Sequence, residues 1–143
     1  MFDIFSFKDI KTIEKAVTKA EALTSAEIKP VIINYCWGNL HLKARQIFEK
    51  YDLHKTQNRN AVMILIVVKN RELLIFGDEG ITQKAGLDFW IETKDKMIDF
   101  FRKNEFLEGL LYGIDKAGEK LAEFFPVTAE NANELSNEVI YEK

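Results

Sequence analysis

The stretch AVMILIVV, residues 61–68, is the feature that most constrains the fold of this chain. Its residues are apolar without interruption, and Val and Ile dominate. A strand with one face in water would carry a polar residue at every second position, and this one carries none. The run is also far shorter than the ~18 apolar residues that span a bilayer. It therefore predicts a central strand that other elements cover on both faces.

The segments on either side of this run have their own periodicities. Residues 8–23 and 40–53 place apolar residues at helical intervals, and residues 28–35 between them form a β-branched strand. Pro30 cannot donate to a ladder, so this first strand should start late or lie near an edge. After residue 68, Lys69-Asn70-Arg71 is typical of a hairpin turn, with Asn70 suited to a positive φ, and residues 72–76 form the return strand.

Two more helices follow. Thr82 can cap a helix over roughly 83–103, and Asn104 can cap a second one that Pro126 stops. The element order is α-β-α-β-β-α-α, and the helical crossover between the first two strands makes them parallel. The sequence thus predicts a three-layer α/β/α sandwich with a mixed central sheet of three to five strands and helices on both faces.

The chain divides into a single domain, residues 1–126, and a polar, acidic C-terminal tail, residues 127–143, in which Val139-Ile140-Tyr141 can add a short edge strand. The net charge of −3 resides in residues 126–143, so there is no basic footprint for nucleic acid. The single cysteine, Cys36, excludes an intrachain disulfide and fits a reducing compartment. Without a signal peptide or membrane segment, we expect a cytoplasmic monomer with an unidentified protein partner.

Three polar stretches flank the strands at one edge of the predicted sheet. They are Thr24-Ser25-Ala26-Glu27, Asn58-Arg59-Asn60 and Gly77-Asp78-Glu79-Gly80. The amino ends of the two parallel strands lie together, and the antiparallel third strand ends beside them. Ligands of open α/β sheets usually bind at the carboxyl ends instead, so this edge does not suit a standard small-molecule active site. The convergence is nevertheless the strongest functional signal.

In order and spacing, these motifs resemble those of the TPM domain family. The family typically reads T-S-G-E before the first strand, N-N-G before the second, V-G-Y-G after the third and a Y-x-E-G-L-like stretch in a later helix. The matching residues are Thr24-Ser25-Ala26-Glu27, Arg59-Asn60-Ala61, Phe76-Gly77 with Gly80, and Phe106-Leu107-Glu108-Gly109-Leu110. The resemblance covers roughly residues 10–125. Ala26 and Ala61 replace glycines, and Asp78-Glu79 replaces an aromatic residue.

The resemblance implies an α/β sandwich and, in some members, divalent-cation binding. It also implies an acid-phosphatase activity, proposed for plant thylakoid members linked to photosystem repair. Many relatives carry a signal peptide and a membrane segment, which we do not find in this sequence.

Asp78 and Glu79 are the first candidates for Ca²⁺ or Mg²⁺ ligands, and Asn58 and Asn60 can add oxygens. Solvated acids before a helix N-terminus, where the helix dipole favours them, explain the same two carboxylates. The first functional hypothesis is a non-enzymatic, cation-binding module. The ion would order the turn and set a surface that meets a protein partner.

The alternative hypothesis is a metal-assisted acid phosphatase. A bound cation would polarise a phosphoryl oxygen, Arg59 would steady the phosphate, and Glu27 or Asp78 would transfer protons. Ser25 lacks the G-x-S-x-G elbow of an activated nucleophile. Arg59 has a structural alternative, because an ion pair with Asp78 or Glu27 would occupy the anion site.

Other polar residues carry weaker signals. Glu108, Asp115 and Glu119 fall near one face of the last helix, where neighbouring lysines favour a solvated, salt-bridged surface. The family motif gives Glu108 additional interest. His41 and His54 lack the spacing of a zinc pair, and Cys36 fits a small buried residue.

Overall fold

The computed structural model describes residues 4–127 and 137–142. These residues form five α-helices, one short 3-10 helix and one four-stranded sheet. In chain order the elements are α1 Phe7–Glu21, β1 Glu27–Ile33, α2 Leu40–Lys50, β2 Ala61–Val67, β3 Glu72–Gly77, α3 Glu79–Ala85, the 3-10 helix Leu87–Trp90, α4 Ile91–Arg102, α5 Phe106–Phe124 and β4 Ile140–Glu142. Residues 128–136 of the predicted acidic tail lie outside the described residues.

The sheet is mixed, with the strand order β3-β2-β1-β4. The strands β1 and β2 are parallel, with Glu27 opposite Ala61, while β3 runs antiparallel to β2. The short strand β4 pairs in parallel with the second half of β1, from Val31 onward. The predicted α/β fold with a mixed sheet is therefore confirmed.

The strand β2 is buried along its whole length, as its sequence predicts. Alternate residues enter two different cores. Val62, Ile64 and Ile66 pack with residues of α1, α4 and α5, whereas Met63, Leu65 and Val67 pack with residues of α2. Full burial of such a side chain stabilises the fold by about 1.5–3 kcal/mol. The two cores make the helix–sheet–helix layering.

Pro30 is tolerated because one side of β1 has no neighbouring strand at its level. The expected late start is wrong, since β1 begins at Glu27. Glu27 donates its N–H toward β2, so Ile28 and Pro30 direct their nitrogens to the other side. There the Ile28 N–H donates to Glu21 Oε2 at 2.7 Å, and Pro30 has no N–H to satisfy.

The long helix expected over 83–103 is instead two helices separated by a break. Gly86 has a φ of +91°, which a right-handed helix cannot continue through. Thr82 is not a cap but lies inside α3, whose N-cap is Asp78. Asn104 does not cap α5 either. It adopts a positive φ of 61°, and the N-cap position is taken by Glu105.

The hairpin turn between β2 and β3 also differs from expectation. Arg71, not Asn70, has the positive φ, at 53°. Asn70 instead donates its side-chain Nδ2 to the Cys36 carbonyl oxygen at 2.9 Å. That bond ties the turn to the loop after β1. Cys36 is buried as expected. In the described part of the chain, no helix is both long and apolar enough to cross a bilayer.

Candidate functional site

The three polar stretches meet at the amino ends of β1 and β2. The Glu27 N–H donates to the Asn60 carbonyl oxygen at 3.3 Å, and Asn60 Nδ2 donates to the Ser25 carbonyl oxygen at 3.4 Å. The Gly80 N–H donates to the Arg59 carbonyl oxygen at 2.9 Å. Main-chain atoms take part in these three links, and the three stretches lie together as the topology predicts.

Gly80 allows the closest of these approaches. A Cβ atom at this position would lie 2.2 Å from the Asn58 carbonyl oxygen and 2.6 Å from that of Arg59. Both atoms belong to the backbone, so a side chain cannot be accommodated by a rotamer change. The second glycine of GDEGI is thus required by packing of the α3 N-terminus on the loop before β2.

Asp78 stands where the chain changes from strand to helix. Its N–H extends the β2–β3 ladder by donating to the Ala61 carbonyl oxygen at 2.9 Å. Its Oδ1 accepts from the Glu79 N–H at 2.8 Å, as the N-cap of α3. The residue is only 5% exposed. The backbone therefore fixes this carboxylate at the sheet edge rather than leaving it in solvent.

Arg59 neutralises this carboxylate. Its Nε donates to Asp78 Oδ2 at 2.7 Å and its Nη2 to Oδ1 at 2.8 Å, while Nη1 donates to Glu79 Oε1 at 3.2 Å. The hydrogen bonds to Asp78 raise the pKa of Arg59 above its ordinary value. The structural alternative for Arg59 is the one that forms. In this arrangement the guanidinium does not face an open anion site.

The backbone of Arg59 is itself unusual, with a φ of 50°. Few non-glycine residues adopt this left-handed region, whereas Asn adopts it more readily. Arg59 occupies the position of the first Asn in the N-N-G stretch of the family that these motifs resemble. The bidentate pair with Asp78 accordingly holds a residue in a conformation that it otherwise disfavours, which is a common property of functional sites.

Asn60 adds a second unusual feature. The residue is 1% exposed, and its Oδ1 receives no hydrogen bond within residues 4–127 and 137–142. A buried oxygen without a donor costs roughly 1–3 kcal/mol. A cation or a bound water would satisfy it. Asn58, in contrast, is exposed and presents its carbonyl oxygen close to Gly80.

Glu27 belongs to a buried charged cluster that the sequence analysis missed. Glu27 and Lys29 are both buried, and Glu21 shares a hydrogen bond with Glu27. Burial raises the pKa of Glu21 to about 8, and the charge of Glu27 adds to the effect. Burial also lowers the pKa of Lys29, whose Nζ donates to the Glu138 carbonyl oxygen at 2.9 Å. Charged residues at alternate positions of an apolar strand were the available signal.

The remaining candidates lie apart or contribute backbone atoms. Ser25 donates its N–H to the Phe125 carbonyl oxygen at 2.8 Å, just beyond the C-terminal end of α5. Glu108 lies in the first turn of this 19-residue helix, roughly 25 Å away along the axis. Asp115 is exposed, and the neighbouring Lys116 pairs with Glu119 at 3.0 Å. Neither Glu108 nor Asp115 joins the sheet-edge site.

Two carboxylates, Asp78 and Glu79, lie at this edge beside Arg59. No group of three or more His, Cys, Asp or Glu side chains in the described residues is arranged to hold a metal ion. Asp78 and Glu79 would need oxygens from amides and the backbone to complete a coordination shell. In the described part of the chain, these side chains alone therefore do not form a metal site at this edge.

Comparison with known proteins agrees with the fold and the motifs. A sequence profile described as the TPM domain matches residues 2–120. The chain belongs to the TPM domain family. This TPM domain is similar to the NMR structure of the BA42 protein from the psychrophilic bacterium Bizionia argentinensis, with 29% identity and a TM-score of 0.92. That match covers 99% of this chain and 97% of the other.

A second solved structure shares the fold of this TPM domain. It is the solution NMR structure of the N-terminal domain of a protein from P. gingivalis, with 16% identity and a TM-score of 0.71. The match covers 86% of this chain and 80% of the other. At this identity the likeness concerns the fold alone. Among curated proteins, none matches this chain.

Proposed function

We propose that this TPM domain is a divalent-cation-binding module in which Ca²⁺ or Mg²⁺ competes with Arg59 for Asp78 and Glu79. The observation that carries the proposal is the buried Asn60 Oδ1, which has no donor within the described residues. It lies in the residue next to Arg59, the counter-ion of a buried carboxylate. A cation would satisfy this oxygen, as a bound water would.

The donor set fits a hard cation. Two carboxylates, the Asn60 amide oxygen and the Asn58 carbonyl oxygen are all oxygen ligands, which Ca²⁺ and Mg²⁺ prefer. The Arg59 side chain is 40% exposed, so it can move into water when an ion replaces it. With only two carboxylates, we expect weak binding, with a Kd on the order of 10⁻⁴ to 10⁻³ M.

Ion binding would change the surface that this edge presents. With Arg59 in place, one positive charge faces the two negative charges of Asp78 and Glu79. A divalent ion would neutralise both carboxylates and release the guanidinium to solvent. In this proposal the domain is a cytoplasmic monomer, and the released Arg59 meets a carboxylate on a protein partner.

A phosphatase role has less support from the same geometry. It needs the Arg59 guanidinium to face a phosphate, but Nε and Nη2 are both bonded to Asp78. It also needs an accessible group to transfer protons, and Glu27 is buried in a cluster with Glu21 and Lys29. No specific observation favours this second function.

The proposal is tested by amide NMR titration of metal-free protein with Ca²⁺ and then Mg²⁺. We expect shifts confined to residues 58–60 and 77–82, with half-saturation near about 1 mM. Asp78→Asn keeps the helix cap but removes a ligand charge, and should abolish these shifts. Glu49→Gln removes an exposed carboxylate of α2 and should leave the titration unchanged. Shifts that persist in Asp78→Asn would place the ion elsewhere.

A further inference from the structure

We infer that the opposite end of the sheet holds a separate binding site for a single-chain amphiphile with an anionic head group, such as a long-chain carboxylate. A cavity of about 840 Å³ lies there, where β2 ends and β3 begins. Its size is within the usual range of small-molecule sites. It also lies at the carboxyl end of a parallel strand, where ligands of open α/β sheets usually bind.

Apolar side chains supply somewhat more than half of the walls of this cavity. Val68 and Leu73 come from the ends of β2 and β3, Ile98 and Phe101 from α4, and Phe106 from the start of α5. All these side chains except Leu73 are only partly buried, so they keep apolar surface in contact with solvent. An alkyl chain that covers this surface would be favoured by about 25 cal/mol per Å² of apolar area removed from water.

Basic residues also line the cavity, and we call them its rim. Lys69, Arg71, Lys94 and Arg102 line the cavity together with His41, against one acid, Glu72. Within residues 4–127 and 137–142, no carboxylate forms an ion pair with Arg71, Lys94 or Arg102. The chain as a whole carries a net charge of −3, so this local positive excess is the exception. Apolar walls with a positive rim are complementary to an anionic head on an apolar tail.

The hairpin turn holds part of the rim in place. Arg71 has a positive φ of 53°, which is uncommon for a non-glycine residue. Asn70 fixes the turn by donating to the Cys36 carbonyl oxygen at 2.9 Å. Asn70 Nδ2 also donates to Glu72 Oε1 at 3.1 Å, which gives the one acid among the described lining residues a partner within the turn. The turn therefore presents Arg71 while restraining the opposing charge.

An acidic peptide lying along the β3 edge is the competing occupant. Such a peptide would follow the whole strand by main-chain pairing. The cavity includes residues 72–74 of β3 but not 75–77, and its other walls come from helices on both sides of the sheet. This shape favours a compact ligand with an apolar tail over an extended strand.

The test is an NMR titration of the full chain with dodecanoate below its critical micelle concentration, in EDTA so that the cation site is not involved. We expect saturable shifts in residues 67–74 and 94–106. Dodecyltrimethylammonium has the same tail with a cationic head, and acetate has the head without the tail. Both should bind at least about tenfold more weakly. Equal binding of the cationic amphiphile would overturn the proposal.

A pair of matched variants distinguishes the effect of the rim charges on binding from the effect of the net charge of the protein. Lys94→Glu should weaken dodecanoate binding by about three- to tenfold. Lys96→Glu reverses an exposed charge on the same helix outside the cavity, and should have no effect. Equal effects of the two variants, or the same shifts with an oligoglutamate peptide, would contradict an amphiphile site. Asp78→Asn should leave dodecanoate binding intact, so this proposal fails or holds independently of the cation site.

Discussion

At the amino ends of β1 and β2, the charged side chains form ion pairs and hydrogen bonds with other side chains of the protein. Arg59 forms an ion pair with Asp78, and Glu21 forms a hydrogen bond with Glu27. At the other end of the same sheet, Arg71 and Lys94 line the cavity beside apolar side chains, and no carboxylate of the described chain forms an ion pair with them. Charges of the first kind have partners within the fold, and burial raises the pKa of one of these groups, Glu21. Substitution of a charge of the second kind should change the free energy of unfolding very little, and such a charge remains available to a ligand.

The largest effect on the free energy of unfolding is expected from Gly80→Ala at the amino end. The added Cβ would overlap two backbone carbonyl oxygens, so the unfolding free energy should fall by about 3 kcal/mol in urea denaturation. Gly113→Ala is the matched helical control, because its Cβ would meet the end of the flexible Met97 side chain. We expect a smaller loss there. Equal losses would show that the backbone contact at Gly80 has no special role.

A second comparison sets the two acids of GDEGI against each other. Asp78→Ala removes the helix cap and a buried ion-pair partner, and should cost about 2–3 kcal/mol. Glu79 is mostly exposed, so Glu79→Ala should cost about 0.5 kcal/mol or less. Chemical denaturation without metal measures both. Similar values would mean that the burial of Asp78 has no energetic consequence.

The buried cluster makes stability depend on pH in a defined direction. The pKa of Glu21 is about 8 in the folded chain, against an ordinary value of 4.5. Between these pH values the unfolded chain releases a proton that the folded chain keeps, so rising pH favours unfolding. This contribution to stability is complete below pH 4.5 and is lost as the pH rises through 8.

Glu21→Gln tests that direction, because its amide oxygen can still accept the Ile28 N–H. Relative to wild type, the variant should gain about 1–3 kcal/mol of stability between pH 5 and pH 8, measured by urea denaturation at each pH. The exposed Glu49→Gln serves as control and should show no such gain. A variant whose stability follows the wild-type pH profile would place the titrating group elsewhere.

The smallest effect on stability is expected at the carboxyl end. Lys94→Glu should change the unfolding free energy by less than about 0.5 kcal/mol, because no ion pair to Lys94 forms within the described residues. The measurement is again urea denaturation, with Lys96→Glu in parallel. A large loss of stability for Lys94→Glu alone would show that Lys94 stabilises the fold, and would contradict its assignment to ligand binding.

The sequence predicted what depends on local pattern and chain order. The apolar run at 61–68 identified a strand buried on both faces, and the helical crossover identified its parallel neighbour. These two inferences together predicted that residues 24–27, 58–60 and 77–80 meet. The family motifs predicted the TPM domain, which the match over residues 2–120 confirms.

What the sequence could not provide depends on contacts between distant segments. The helix breaks at Gly86 because this residue has a positive φ angle. Glycine adopts both negative and positive φ, so the sequence does not show whether the helix continues or breaks there. Glu21 gains its raised pKa from burial next to Glu27, which is in a different element. Arg59, whose backbone is left-handed, binds Asp78 across 19 residues of sequence and next to the close approach of Gly80. None of these has a local sequence signature.

The competition between Ca²⁺ and Arg59 for Asp78 is tested by the Ca²⁺ affinity of Arg59→Gln compared with wild type, measured by amide NMR titration. If the ion and the guanidinium compete for Asp78, removal of the guanidinium should lower the half-saturating Ca²⁺ concentration by about tenfold. The metal-free variant should also be less stable than wild type, and Ca²⁺ should restore the difference. Unchanged or weaker binding by Arg59→Gln would contradict the competition and leave Arg59–Asp78 as a purely structural pair.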